Sequence, residues 1–203
     1  MPGAMPPAGA SIAFFAGVVS AVAYALLFIY LLFRASAGGP TERSRSLVIA
    51  GLAASAAWAA ASAWAEWSWY TWPGHVATAL DVIRYATWLM FLVHLLRPAG
   101  GPAAGAADLA TRARTLSRAT TVVVLLALGA LVQKVLAGAD AASDVAHYHL
   151  VPALALPVIG LVLLEQLFRN LVADSRWSAK PVCLGLASVF AFDIYIYAEA
   201  VLL

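Results

Sequence analysis

Six long apolar stretches, separated by short polar segments, dominate the chain. Each is close to the ~20 residues that a helix needs to cross a bilayer. The stretches are continuously apolar rather than alternating, which favours helices over the strands of a membrane barrel. The pattern predicts an all-α, polytopic transmembrane helical bundle with about six spanning helices, at approximately Ser11 to Phe33, Leu47 to Ala65, Val76 to Leu96, Ala119 to Leu136, Leu150 to Phe168 and Pro181 to Leu203.

The basic residues fall on one set of the connecting segments. The N-terminus and the segments 66–75 and 137–149 contain no Lys or Arg. By the positive-inside rule, the N-terminus is outside and the basic segments are cytoplasmic. The basic set is Arg34, Arg43, Arg45, Arg97, Arg112, Arg114, Arg118, Arg169, Arg176 and Lys180. Six crossings would return the chain to the outside at Leu203, so a cytoplasmic output domain would require at least one further helix.

Composition excludes the soluble classes. Hydrophobic residues make up 64% of the chain and charged residues 11%, whereas about 25% of residues are charged in an average soluble domain. We therefore expect the lipid bilayer to be the chain's main partner. The formal charge of +2 is too small to indicate a nucleic-acid surface. The single cysteine, Cys183, cannot form an intramolecular disulfide and lies in an apolar stretch, where a thiol behaves as a small hydrophobe.

Charged residues inside the predicted spans are the candidate functional positions. A rise of ~1.5 Å per residue places Arg84 about 12 Å below the outer end of the third span. The same rise places Asp193 about 18 Å above the inner end of the sixth, which is the same level in a ~30 Å hydrocarbon core. Asp81 and Arg84 are three residues apart and share a helix face. The sixth span carries two polar rows with a spacing of four, Asp193 with Tyr197 and Tyr195 with Glu199.

These positions predict a polar cluster in the outer half of the bundle, in which Arg84 and Asp193 pair between helices. Its expected members are Asp81, Arg84, Lys134, Asp193 and Glu199, supplemented by Tyr85, Tyr195 and Tyr197. A charge in hydrocarbon is unfavourable by at least ~2.5–3.5 kcal/mol, so each member needs a partner. Three interpretations stay open: ion pairs that fix helix register, a ligand- or proton-sensing pocket, and a transport path.

Other polar residues give weaker hypotheses. His94 and Glu165, toward the inner ends of their spans, are most simply a buried polar contact. His147 and His149 have no third ligand at a recognisable spacing, so no metal site is predicted. The aromatic segment Trp67 to Pro73 is typical of an interfacial anchor, with a ligand-facing lid as the alternative. No nucleotide-binding or catalytic motif is present, and we predict no catalytic or cofactor-binding residues.

Two stretches carry a family resemblance. One is Ile83 to Leu92, IRYATWLMFL, and the other follows the pattern RW..KP.CLGL, then Phe190 and Asp193, then YAEA from Tyr197 to Ala200. Together they resemble the membrane-embedded N-terminal region of the PrsK family, the sensor histidine kinases of bacterial PEP-CTERM/exosortase systems. The resemblance covers essentially the whole chain and only the first part of the family's architecture.

The resemblance implies a transmembrane sensor domain over 1–203 of a two-component histidine kinase in the bacterial inner membrane. It implies further helices, a cytoplasmic GAF-type domain, and kinase domains downstream, where ATP and the phosphorylated histidine belong. A homodimer and a cognate response regulator are the implied partners. The alternative from another class is a small multi-helix transporter or permease subunit with an intramembrane Asp/Arg path; a purely structural membrane subunit is a third.

Overall fold

The computed structural model of the chain describes residues 8–34, 42–68, 70, 72–96, 115, 118–130, 132, 150–170 and 173–202. All regular structure within these ranges is α-helical, which confirms the all-α prediction. The helices are α1 Ala8–Arg34, α2 Glu42–Trp67, α3 Trp72–Leu96, α4 Arg118–Ala130, α5 Leu150–Asn170 and α6 Ala173–Leu202.

Five of these helices are long and apolar enough to cross a membrane: α1, α2, α3, α5 and α6. The chain is therefore a multi-pass helical membrane protein, as its apolar pattern predicts. The fourth predicted span, Ala119 to Leu136, extends beyond the described residues, within which α4 covers the shorter stretch Arg118–Ala130. Six crossings and an outside N-terminus stay predictions.

The helices extend beyond the predicted spans at two places, the connection between α2 and α3 and the start of α6. The predicted spans end at Ala65 and resume at Val76, whereas α2 continues to Trp67 and α3 begins at Trp72. Pro73 is buried as the second residue of α3, where the absent N–H has no intrahelical partner to lose. The candidate span of the last helix, Lys180–Glu199, begins where the predicted span at Pro181 does, and α6 itself starts earlier, at Ala173, and continues through the proline. Membrane helices tolerate proline when neighbouring groups satisfy the freed backbone carbonyl.

Contacts divide the chain into two compact units, Met1–Thr87 and Trp88–Leu203, and α3 contributes residues to both. In the first unit α1 packs against α2. A Cβ atom added at Gly17 would lie 3.0 Å from the Cβ of Ala63, so the two helices approach closely at this point. The ring of Phe14 lies 5.4 Å from that of Trp67, which places the start of α1 beside the end of α2. The small side chain of Ala63 on α2 thus allows the two helices to approach closely.

In the second unit α5 packs against α6. A Cβ atom added at Gly160 would lie 2.7 Å from Cε2 of Phe190, so the buried Phe190 ring occupies the space that a side chain at Gly160 would need. The buried residues of α6 form a single stripe with spacings of three and four: Cys183, Leu186, Phe190 and Asp193. This stripe contains much of the sequence pattern that carries the family resemblance.

Candidate functional site

A buried ion pair on α3 is the central polar feature of the first unit. The guanidinium of Arg84 donates from Nε to Oδ1 of Asp81 at 3.0 Å, and its Nη2 lies 2.7 Å from the same oxygen. Arg84 is 3% exposed and Asp81 is 7% exposed. The three-residue spacing brings both side chains to one helix face, so this part of the sequence prediction is confirmed.

Two aromatic rings cover the Arg84 guanidinium. Its Cζ atom lies 4.1 Å from the ring centroid of Trp58 on α2 and 4.6 Å from that of Tyr85 on α3. Tyr85 is 1% exposed. A cation within about 6 Å of an aromatic centroid is attracted by the ring quadrupole, and the attraction is stronger where water is excluded. The rings therefore stabilise the charge of Arg84 on faces that the carboxylate of Asp81 does not reach.

Trp58 is the site residue that sequence reasoning missed. It contacts Arg84 from another helix, and such contacts do not follow from spacing along one helix. Its signal in the sequence is compositional, because it is the only aromatic residue between Leu47 and Ala63 in an alanine-rich stretch. A large ring within a stretch of small residues indicates a contact with a neighbouring helix.

The Asp81–Arg84 pair brings one positive and one negative charge together within the apolar part of the protein. An isolated guanidinium in hydrocarbon is unfavourable by at least ~2.5–3.5 kcal/mol, whereas here the carboxylate balances the charge and two donor nitrogens approach one acceptor oxygen. Because Arg84 is almost completely enclosed, this conformation gives the guanidinium no exposed face to which a solute could bind. Chemically, the site can hold α2 and α3 in register and can open only if the helices repack.

The two polar rows of α6 have different surroundings in the second unit. Asp193 is buried and Tyr197 is half-buried, and neither is without an interaction partner. Tyr195 is 64% exposed and Glu199 is also exposed. The row of Asp193 and Tyr197 is thus the more enclosed of the two rows. Lys134 lies outside the described residues.

The structure therefore brings together only some members of the predicted cluster. Asp81, Arg84 and Tyr85 come together in the first unit, with Trp58 added to them. Asp81, on the same helix, is an ionic partner of Arg84. A pair between Arg84 and Asp193, and a single cluster that joins α3 and α6, stay predictions.

The predicted buried contact between His94 and Glu165 is wrong for Glu165. Its Oε1 lies 2.6 Å from Nη2 of Arg169 on the same helix, and the two side chains are 56% and 71% exposed. The pair stands at the end of α5, where a charged side chain can reach the polar edge of the membrane.

No metal centre is found among the residues that the structure describes, since no group of three His, Cys, Asp or Glu side chains lies close enough to hold an ion. His147 and His149 lie outside the described ranges.

No protein-family model, no curated protein and no solved structure matches the chain.

Proposed function

We propose that the chain is the membrane-embedded input region of a sensor histidine kinase. The observation that carries the proposal is that the family resemblance and the buried charges occur in the same stretches of the chain. The two stretches that resemble the PrsK family, in α3 and α6, are also the stretches that bury charged side chains, Arg84 in one and Asp193 in the other. Helices that only fill lipid have no need of buried charges, so these stretches are candidates for a functional element.

The proposed mechanism is a choice between two helix packings. A stimulus changes the population of the packings only if it binds them with unequal affinity. A buried ion pair suits this role because packed interiors change between discrete arrangements rather than deforming continuously. In the packing described here, the Asp81–Arg84 pair is formed and covered by Trp58 and Tyr85. The second packing would open this centre and pass the change to the cytoplasmic kinase domains.

The test begins with the gene. Reading in frame past Leu203 is expected to reveal further helices, a phospho-accepting histidine and an ATP-binding domain. The whole gene product, in native membranes, should then label itself from radioactive ATP on a histidine. Arg84→Gln should change the labelling rate, whereas Glu165→Gln, at an exposed carboxylate, should leave it unchanged. A stop codon directly after Leu203 with no kinase downstream would contradict the proposal.

The transporter alternative makes a different prediction, because the Asp81–Arg84 centre would then line a proton or solute path. Proteoliposomes that contain the chain and a pH-sensitive dye distinguish the two functions. We expect proton flux equal to that of protein-free liposomes, since Arg84 is 3% exposed. Flux that depends on the chain and is lost in Arg84→Gln would favour the transporter.

A further inference from the structure

An open apolar groove of ≈ 580 Å³ lies between α1 and α2 in the first unit. Phe14, Val18 and Val22 line it from α1, and Ala60, Trp64 and Trp67 line it from α2. Its volume is in the ~300–1,000 Å³ range of sites that hold small molecules. The α1 residues that line it all belong to the candidate membrane span Phe14–Phe33. The groove therefore lies at the depth of the lipid hydrocarbon.

The length of the groove is close to the thickness of the hydrocarbon part of one membrane leaflet. From Phe14 to Val22 the helix rises about 12 Å. Half of the ~30 Å hydrocarbon core is about 15 Å, so the groove accommodates most of an acyl chain that enters from the side on which α1 begins. The walls are apolar side chains, which suit a hydrocarbon chain and provide no partner for a polar solute.

The end of the groove near Trp67 is aromatic and acidic. Trp64 and Trp67 are 46% and 69% exposed, and the exposed Glu66 lies between them in the chain. Glu66 and Trp67 follow Ala63, which also lines the groove, by three and four residues, and so extend the same helix face. The segment 66–75 contains no Lys or Arg. An ammonium group is attracted to this combination of carboxylate and indole rings, whereas an anionic headgroup is repelled.

We propose that this groove binds one membrane lipid with a primary-amine headgroup. One acyl chain of the lipid lies between α1 and α2, and its ammonium group lies at Glu66 beside the rings of Trp64 and Trp67. A second copy of the chain fits less well, because a helix with its side chains is ~10–12 Å wide and α1 and α2 already touch at Gly17 and Ala63. The inference follows from the first unit alone and does not depend on the kinase proposal.

Native mass spectrometry of the whole chain in detergent tests the site. Phosphatidylethanolamine and phosphatidylglycerol with identical acyl chains are titrated separately. We expect a single bound lipid, with a roughly two- to fivefold preference for phosphatidylethanolamine, the size of an exposed cation–π contact. Ala60→Phe places a ring in the groove and should remove the bound lipid. Ala50→Phe, at an exposed position of α2 outside the groove, should retain it.

A second pair of variants tests the headgroup contact. Glu66→Gln should keep the bound lipid and reduce the preference for the amine headgroup, whereas Glu165→Gln should leave the preference unchanged. This pair decides alone if circular dichroism shows that Ala60→Phe does not fold, because both glutamates are exposed. Equal binding of the two lipids by the unaltered chain, lipid retained in a folded Ala60→Phe, or a dimer mass in place of the lipid adduct would overturn the proposal.

Discussion

Two of the ion pairs in the part of the chain that the structure describes have similar local geometry and opposite surroundings. Asp81 and Arg84 are three residues apart on α3, with side chains that are 10% and 3% exposed. Glu165 and Arg169 are four residues apart on α5, with side chains that are 56% and 71% exposed. The N–O distances, 2.7 and 2.6 Å, are nearly equal. The N–O distance therefore does not indicate which pair contributes more to the stability of the protein.

The surroundings of each pair determine how much it contributes to stability. An exposed helix pair contributes roughly 0.3–0.5 kcal/mol, because water and salt screen it and two long side chains lose freedom. Breaking a buried pair by removing one partner is destabilising by roughly 3–5 kcal/mol, because the remaining charge stays buried without compensation. The first unit therefore depends on its charged centre. In the second unit, close packing such as that of Phe190 on Gly160 is a further source of stability beside the exposed pair on α5.

The largest expected effect is at the buried pair. Arg84→Gln removes the Arg84 cation from the buried Asp81 carboxylate, and we expect the free energy of unfolding to fall by roughly 3–5 kcal/mol. Denaturation in micelles, followed by circular dichroism, measures the loss. Arg84→Lys should also destabilise, because an ammonium group does not reproduce the planar fork that stacks on Trp58. Full stability of Arg84→Gln would remove the contrast between the two pairs.

The packing of the second unit is tested at Gly160. Gly160→Ala forces the Phe190 ring to move, and overpacking of this kind destabilises by roughly 1–3 kcal/mol. Gly185→Ala on α6 is the matched control, because nothing lies within 4 Å of the added Cβ. Both variants are compared in the same micelle denaturation. A Gly160→Ala variant as stable as Gly185→Ala would show that this contact does not support the unit.

Trp58 tests the aromatic part of the charged centre. Trp58→Phe keeps a ring and weakens the cation–π attraction, so we expect a loss of roughly 0.5–2 kcal/mol in the free energy of unfolding. The same substitution made in the Arg84→Gln protein should have a smaller effect, because the cation is gone. Equal losses in the two backgrounds would mean that Trp58 contributes packing alone.

The smallest effect is expected at the exposed pair. Arg169→Gln should lower the free energy of unfolding by roughly 0.3–0.5 kcal/mol, and less at high salt. The measurement is denaturation at low and at high ionic strength. A loss comparable to that of Arg84→Gln would contradict the account of the exposed pair.

Features that depend on one helix could be predicted from the sequence. Continuous apolar runs predict the spanning helices because their length and composition alone determine whether they suit a bilayer. The Asp81–Arg84 contact follows from a three-residue spacing, which is local geometry. The two polar rows of α6 follow from the same argument. In each case the interacting residues belong to one helix.

Features that depend on a neighbouring helix could not be predicted. The contact of Trp58 with Arg84 requires the packing of α2 beside α3. Which polar row of α6 is buried is decided by the packing of that helix, so the exposure of Tyr195 could not be read from spacing. The apolar run predicts the span from Pro181 but not the start of α6 at Ala173, since membrane helices can continue through proline.

A double-mutant cycle on the buried pair tests the central claim most directly, namely that Asp81 and Arg84 stabilise the protein as one mutually dependent unit. The free energy of unfolding is measured for Asp81→Asn, for Arg84→Gln and for the double variant. We predict that the double variant loses less than the sum of the single losses, by a coupling in the range of about 0.5–3 kcal/mol that contacting residues show. Losses that add to within about 0.3–0.5 kcal/mol, as independent sites do, would contradict the account.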